Sequence, residues 1–273
     1  MRPIEELNPQ VLKDVRFVLT DMDETLTYGG RLPGLTYQAL EDLQHAGIKV
    51  IVNTAAPAGW CDQMARMWPV DGVIGENGGL FFRRDAAQGL LREFWHDDEA
   101  AARLRLKGLA EDILARYPRL DLADDQAFRL MSLAFRRVSD PSLLADMLSA
   151  FQTLGARATV NNLWLLAWLG DYDKLVMARR VLKAHFSLDI DREADQVVYV
   201  GDSENDGPMF AFFKHTFGVS TVVDALDHLV AAPAWITPGP GGQGFVEVAR
   251  AVIEGVGKRQ GRQSTRTESA FSV

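Results

Sequence analysis

Asp21 and Asp23 stand one residue apart, directly after the apolar run Phe17-Val18-Leu19. That run has the length and composition of a buried parallel strand. The two acids therefore fall where an open α/β sheet carries its chemistry, beyond the carboxyl end of a strand. Two carboxylates this close repel each other unless a cation or a proton stands between them. A hard divalent ion, most simply Mg²⁺, suits carboxylate oxygens together with water and phosphate oxygens. Taken alone, the pair also fits a helix cap beside a solvated acid.

Other stretches repeat the pattern. Thr54 follows the expected strand Ile48–Val52, and Asp202, Asn205 and Asp206 follow the expected strand Val197–Val200. Lys174 opens an expected helix, a position the helix dipole makes unfavourable for a cation, so it is placed there to meet an anion. In a parallel sheet all these strand ends share one rim. The chemistry open to such a set is phosphoryl transfer. Asp21 would be the nucleophile once the phosphate charge is masked. Mg²⁺ would bridge Asp21, the main-chain carbonyl of Asp23 and Asp202. Lys174, Thr54 and Asn205 would hold phosphate oxygens, and Asp23 would move the proton. Asp202 and Asp206 on their own fit helix capping equally well.

The elements that must position these residues alternate βαβαβ up to Ile74, which calls for a doubly wound parallel sheet. Near Leu80 the rhythm changes: Leu80-Phe81-Phe82 and Leu91-Arg92-Glu93-Phe94-Trp95 read as strands near a hairpin, followed by two amphipathic helices and alternating strands, including a hairpin across Asn161-Asn162. This predicts an α/β core formed by residues 1–82 and 171–257, with an α+β unit inserted over 83–170. Residues 258–273 are polar and basic and predict a disordered tail. The Gly239–Gly244 loop lacks the Lys-Ser/Thr of a phosphate-binding loop and reads as a turn. Arg129, Arg136, Asn161 and Asn162 are placed to reach a sugar or second anion, against the more common reading of exposed surface residues.

The chain has 273 residues and a formal net charge of −8. That charge argues against nucleic acid or an anionic membrane as a main partner. A single cysteine, Cys61, excludes an internal disulfide. The start lacks a signal-peptide core and no apolar run spans a bilayer, so a cytoplasmic location is expected.

Asp21-Met22-Asp23-Glu24-Thr25-Leu26-Thr27, Thr54, Lys174 and Gly201-Asp202-Ser203-Glu204-Asn205-Asp206 resemble, in order, the four motifs of the haloacid dehalogenase-like (HAD) superfamily. The insert after Glu76-Asn77-Gly78-Gly79 is similar to the caps of its type IIB subgroup, which includes sugar-phosphate phosphatases. The resemblance implies a Rossmann-like core and Mg²⁺-dependent hydrolysis of a small phosphorylated metabolite, a sugar phosphate, through an aspartyl-phosphate. It implies Asp21 as nucleophile and Asp23 as acid/base. Asp21, Asp23 and Asp202 would lie on the metal, with Asp206 as outer support and Thr54, Lys174 and Asn205 on phosphate. A phosphosugar mutase is the alternative within the enzymes. A phospho-Asp signalling domain or a non-catalytic phosphosugar-binding protein is the alternative outside them, disfavoured by the paired Asp21 and Asp23. Two departures stand out. The second motif reads Thr54-Ala55-Ala56 where many relatives have Thr-Gly-Arg, and Glu24 stands where many carry Gly.

Overall fold

The computed structural model describes residues 1–87, 89–161 and 163–268, with side chains through residue 257. The first part of the chain forms β1 (Arg2–Pro3), β2 (Phe17–Thr20), α1 (Gly34–His45), β3 (Lys49–Asn53), α2 (Ala58–Met67), β4 (Gly72–Gly75), β5 (Leu80–Asp85) and β6 (Gly89–Phe94). The inserted part forms α3 (Glu99–Arg116), β7 (Ser132–Arg136), α4 (Pro141–Thr153), β8 (Ala156–Val160) and β9 (Trp164–Leu169). The return forms α5 (Lys174–Phe186), α6 (Ile190–Glu193), β10 (Val197–Gly201), α7 (Gly207–Phe212), β11 (His215–Gly218), β12 (Trp235–Ile236) and α8 (Gly241–Glu268).

A large sheet runs in the order β1-β12-β11-β10-β2-β3-β4-β5-β6 and is parallel from β1 to β4. Successive side chains on a strand point to opposite faces, and both faces here are apolar. Val18, Val50, Val52, Val198 and Val200 pack toward α1, α2 and α8. Phe17, Leu19, Ile51, Val197 and Tyr199 pack toward α5 and α7. Burial on both faces is why these strands read as continuous apolar runs rather than as alternating ones.

The insert begins later than its expected start at residue 83. The β5–β6 hairpin extends the large sheet in antiparallel fashion instead of opening the inserted unit. The reason is that Phe82 joins one core layer and Phe81 the other, so the strand is covered on both sides like its parallel neighbours. The inserted sheet is β7-β9-β8, antiparallel, with its own core of Leu106, Ile113, Phe135, Met147 and Phe151 under α3 and α4.

Asp98 and Asp140 cap α3 and α4 through Ala101 N–H and Ser142 N–H. The polar lead-in contributes β1, paired with β12, where the Arg2 guanidinium stacks 3.9 Å over Trp235. The last helix, expected to end at Glu254, runs to Glu268 and so covers 258–268 of the expected disordered tail; its Lys, Arg, Gln and Glu residues are good helix formers. Residues 269–273 lie outside the described residues. Among the described residues no helix is long and apolar enough to cross a membrane.

Candidate active site

Register decides what meets. Thr20 lies level with Val200 on one side and Val52 on the other. The next residues, Asp21, Gly201 and Asn53, therefore stand side by side at this edge, where β10 and β3 end and Asp21 has just left β2. Asp21 is tied to this rim through its N–H, which donates to the Val200 carbonyl at 2.9 Å. Lys174 arrives from above the sheet as the first residue of α5. Asp173 caps that helix by accepting from Val176 N–H, and the Asn53 amide donates to the Lys174 carbonyl at 3.1 Å.

The Lys174 ammonium, 1% exposed, donates to Asp21 Oδ1 at 2.9 Å and Asp206 Oδ1 at 2.7 Å. Asp206 also accepts from the Tyr199 hydroxyl and, through Oδ2, from the N–H groups of Asp202 and Ser203 at 3.0 Å each. It thus caps its own turn and holds the lysine at once. Gly201 is required for this fold-back, since a Cβ there would stand 2.5 Å from Asp206 Oδ2. Asp202 Oδ1 accepts from Thr25 Oγ1 at 2.8 Å, which joins the first motif to the fourth.

Carboxylate oxygens of Asp21, Asp202 and Asp206 lie within 4.8 Å of one another. Three buried carboxylates face one ammonium, an imbalance that a divalent cation would correct. The electrostatics agree. Burial raises Asp21 to about 7, against the pull of Lys174 and with a push from Asp206 and Asp23. Burial also lifts Asp202 well above the usual carboxylate range, and Asp21 adds to it. Burial works against the Lys174 charge, but Asp206 and Asp21 overcome it and leave its pKa raised. Asp23 is raised by burial to about 6, held down by Lys174 and then by Arg129. An oxygen-only set of this charge fits Mg²⁺. The Asp23 side chain is not one of the three clustered carboxylates; its expected contribution was the main-chain carbonyl.

Thr54 is fully buried, and its Oγ1 accepts from Ala56 N–H at 3.0 Å. Its hydroxyl proton is left to donate. Asn205 is more engaged than a free phosphate ligand. Its Nδ2 donates to Asn77 Oδ1 at 3.1 Å, and its Oδ1 accepts from Ser203 Oγ at 2.7 Å. Glu24 adopts φ 56° and turns its carboxylate away from the rim, accepting from Gly29 N–H at 3.3 Å and Gly30 N–H at 3.4 Å. Its bulk therefore does not crowd the Asp21 side chain.

Two residues at the site escaped the sequence reading. Glu76, 1% exposed, accepts from Ala58 N–H in the core and from Leu130 N–H, Met131 N–H and Ser132 Oγ in the inserted unit. Its signal was present: an acid directly after a parallel strand, like Asp21 and Asp202. Arg129, expected on the surface, is buried; it donates to the Ala55 carbonyl at 2.9 Å and pairs with Asp125 at 2.8 Å. A guanidinium thus reaches the second-motif loop from the inserted unit. Nothing local to Arg129 announces this, because its acceptor is a main-chain oxygen 74 residues away.

No family model matches the chain. A phosphoglycolate phosphatase from Methanoculleus marisnigri is 26% identical over 245 residues, covering 86% of this chain and 96% of that protein. A solved structure from Thermoplasma acidophilum superposes with a TM-score of 0.69 at 18% identity, covering 87% of this chain and 98% of that one. A sugar phosphatase described as HAD subclass IIB superposes with a TM-score of 0.63 at 14% identity, covering 86% of this chain and 98% of its own. The chain thus shares its fold with these structures, one of them described as HAD subclass IIB, and it brings Asp21, Lys174, Asp202 and Asp206 together on one rim of that fold.

Proposed function

We propose that the chain is a Mg²⁺-dependent phosphatase that hydrolyses a small phosphorylated metabolite, a sugar phosphate, with Asp21 as the nucleophile. The observation that carries this reading is the buried Asp21–Lys174–Asp206 chain of hydrogen bonds beside Asp202, with carboxylate oxygens of the three acids within 4.8 Å of one another. Phosphatase activity is named for both the curated relative and the subclass IIB structure.

Asp21 and Asp202, with the Asp23 carbonyl, would hold the ion, which supplies charge neutralisation at the phosphate. The chain's own residues do the rest. An Asp21 oxygen forms a bond to phosphorus as the bond to the leaving oxygen breaks. Asp23 gives its proton to that leaving oxygen. Its pKa of about 6 suits a group that must be protonated in this step and ionised in the next. Asp23 then takes a proton from water, which attacks the aspartyl-phosphate and releases inorganic phosphate and free Asp21. Lys174 has a third N–H beyond its bonds to Asp21 and Asp206, and Thr54 has its hydroxyl proton; both would meet phosphate oxygens as charge develops there.

The experiment is inorganic phosphate release from a panel of sugar phosphates and phosphoglycolate with Mg²⁺ present, run on the wild type and on Asp21→Asn. Expected is turnover with a sugar phosphate as the preferred substrate, and none in the variant. Turnover retained by Asp21→Asn removes Asp21 from its role, and a preference for phosphoglycolate replaces the sugar.

A further inference from the structure

The elements that carry the catalytic rim have a second end, and the residues there form a pocket of the opposite charge. Arg16 precedes β2, whose other end leads to Asp21. Lys49 opens β3, whose other end leads to Thr54. Phe186 closes α5, which begins at Lys174. These three residues, with Arg83, Arg84 and Asp71, line a cavity of about 480 Å³. Four cations face one carboxylate, in a chain whose formal net charge is −8.

The cations are arranged on an aromatic floor. Phe17 and Phe186 meet edge to face at 5.6 Å between centroids. The Arg83 guanidinium stands 5.6 Å from the Phe186 centroid, the Lys49 ammonium 5.7 Å from the same ring, and the Arg16 guanidinium 5.7 Å from Phe17. Lys49 is neutralised by Asp71 at 2.9 Å, and Arg84 donates to the Arg66 carbonyl. Among the described residues the Arg16 guanidinium bonds a neutral amide, Gln196 Oε1 at 3.1 Å. Among the described residues neither Arg16 nor Arg83 has a carboxylate within ion-pair distance. Stacking on phenyl rings orients these charges without cancelling them. Coulomb repulsion between like charges costs stability and is offset only by an anion or by solvent.

We propose that this pocket is a binding site for a nucleoside diphosphate, at the opposite end of the strands from the catalytic rim. The diphosphate would lie across Arg16, Arg83 and Arg84, whose planar forks suit phosphoryl oxygens. The base would stack against the guanidinium planes and the half-buried Phe186 ring, a contact that every base can make. The volume lies within the usual range for small-ligand sites of about 300–1,000 Å³. The alternative is a set of surface arginines that only pack on phenylalanines.

The test is isothermal titration of ADP into the full chain without added divalent ion, with pyrophosphate and adenosine as parallel ligands. Expected is one ADP bound per chain, weakened at least about tenfold in Arg16→Ser/Arg83→Ser. Turnover of an aryl phosphate, measured with Mg²⁺, is expected to stay at the wild-type rate in that variant, which also shows that it folds. Arg83→Gln alone gives the same direction should the double variant fail to fold. No ADP binding, or binding untouched by these substitutions, overturns the site. Pyrophosphate binding as tightly as ADP overturns the nucleoside part of the assignment. Each result is independent of whether the catalytic rim is a phosphatase.

Discussion

The Glu76 carboxylate accepts a 2.7 Å hydrogen bond from the Ser132 hydroxyl, which joins the end of a core strand to the first residue of the inserted sheet. The same carboxylate accepts from Leu130 N–H and Met131 N–H at 2.8 Å each. One buried acid thus holds the inserted unit against the rim that carries Asp21. Glu76→Gln would turn an NH₂ group toward donors that now meet an acceptor. The expected loss is about 1–3 kcal/mol, the cost of a buried donor left without a partner. Urea unfolding measures it, and an unchanged midpoint would mean that this clasp adds no stability.

Lys174→Met tests the charge balance of the rim. The ammonium is 1% exposed and stands between Asp21 and Asp206. Removing it leaves two buried carboxylates with no cation, a change that typically costs about 3–5 kcal/mol. Expected are complete loss of phosphate release and a lower melting temperature, with part of the lost stability restored by Mg²⁺. A variant that melts like the wild type would show that the pair is solvated rather than buried.

Proton and metal should compete at the rim. The Asp21 pKa rises from an ordinary 3.8 to about 7 on folding. Between those values the folded chain binds more protons than the unfolded one, so stability falls as pH rises through that window. A divalent ion bound at the rim would take the place of the missing proton. The stabilisation by Mg²⁺ in a thermal melt is therefore expected to be roughly twice as large near pH 8 as near pH 5. A pH-independent effect would place the ion elsewhere.

Glu24→Gly examines the first-motif departure. Glu24 sits at φ 56°, a left-handed conformation that costs a side-chain-bearing residue about 1–2 kcal/mol. Its bonds to Gly29 and Gly30 are long, 3.3 and 3.4 Å. Gain and loss nearly cancel, so stability is expected to stay within about 1 kcal/mol and phosphate release within about twofold. A steep fall in rate would show that the carboxylate acts on the Asp21 loop after all.

The sequence by itself determined the parallel core and most of its rim. Apolar runs such as Phe17-Val18-Leu19 and Val197–Val200 must be covered on both faces. A strand covered in this way delivers the acid that follows it to the common edge, which is why Asp21 and Asp202 were legible at a separation of 181 residues. The insert was legible as a change of rhythm, but its start was not. Leu80-Phe81-Phe82 reads the same in a core hairpin as in a separate sheet, and only packing on both layers places β5 and β6 in the large sheet. Tertiary structure alone decided what Glu76 and Arg129 do. Beyond the nearer Ala58 and Asp125, their partners are main-chain groups and a hydroxyl 54 to 74 residues away, brought close when the two sheets dock. A main-chain acceptor leaves no mark in residue type, and so Arg129, taken from the sequence as a surface charge, is buried against the rim.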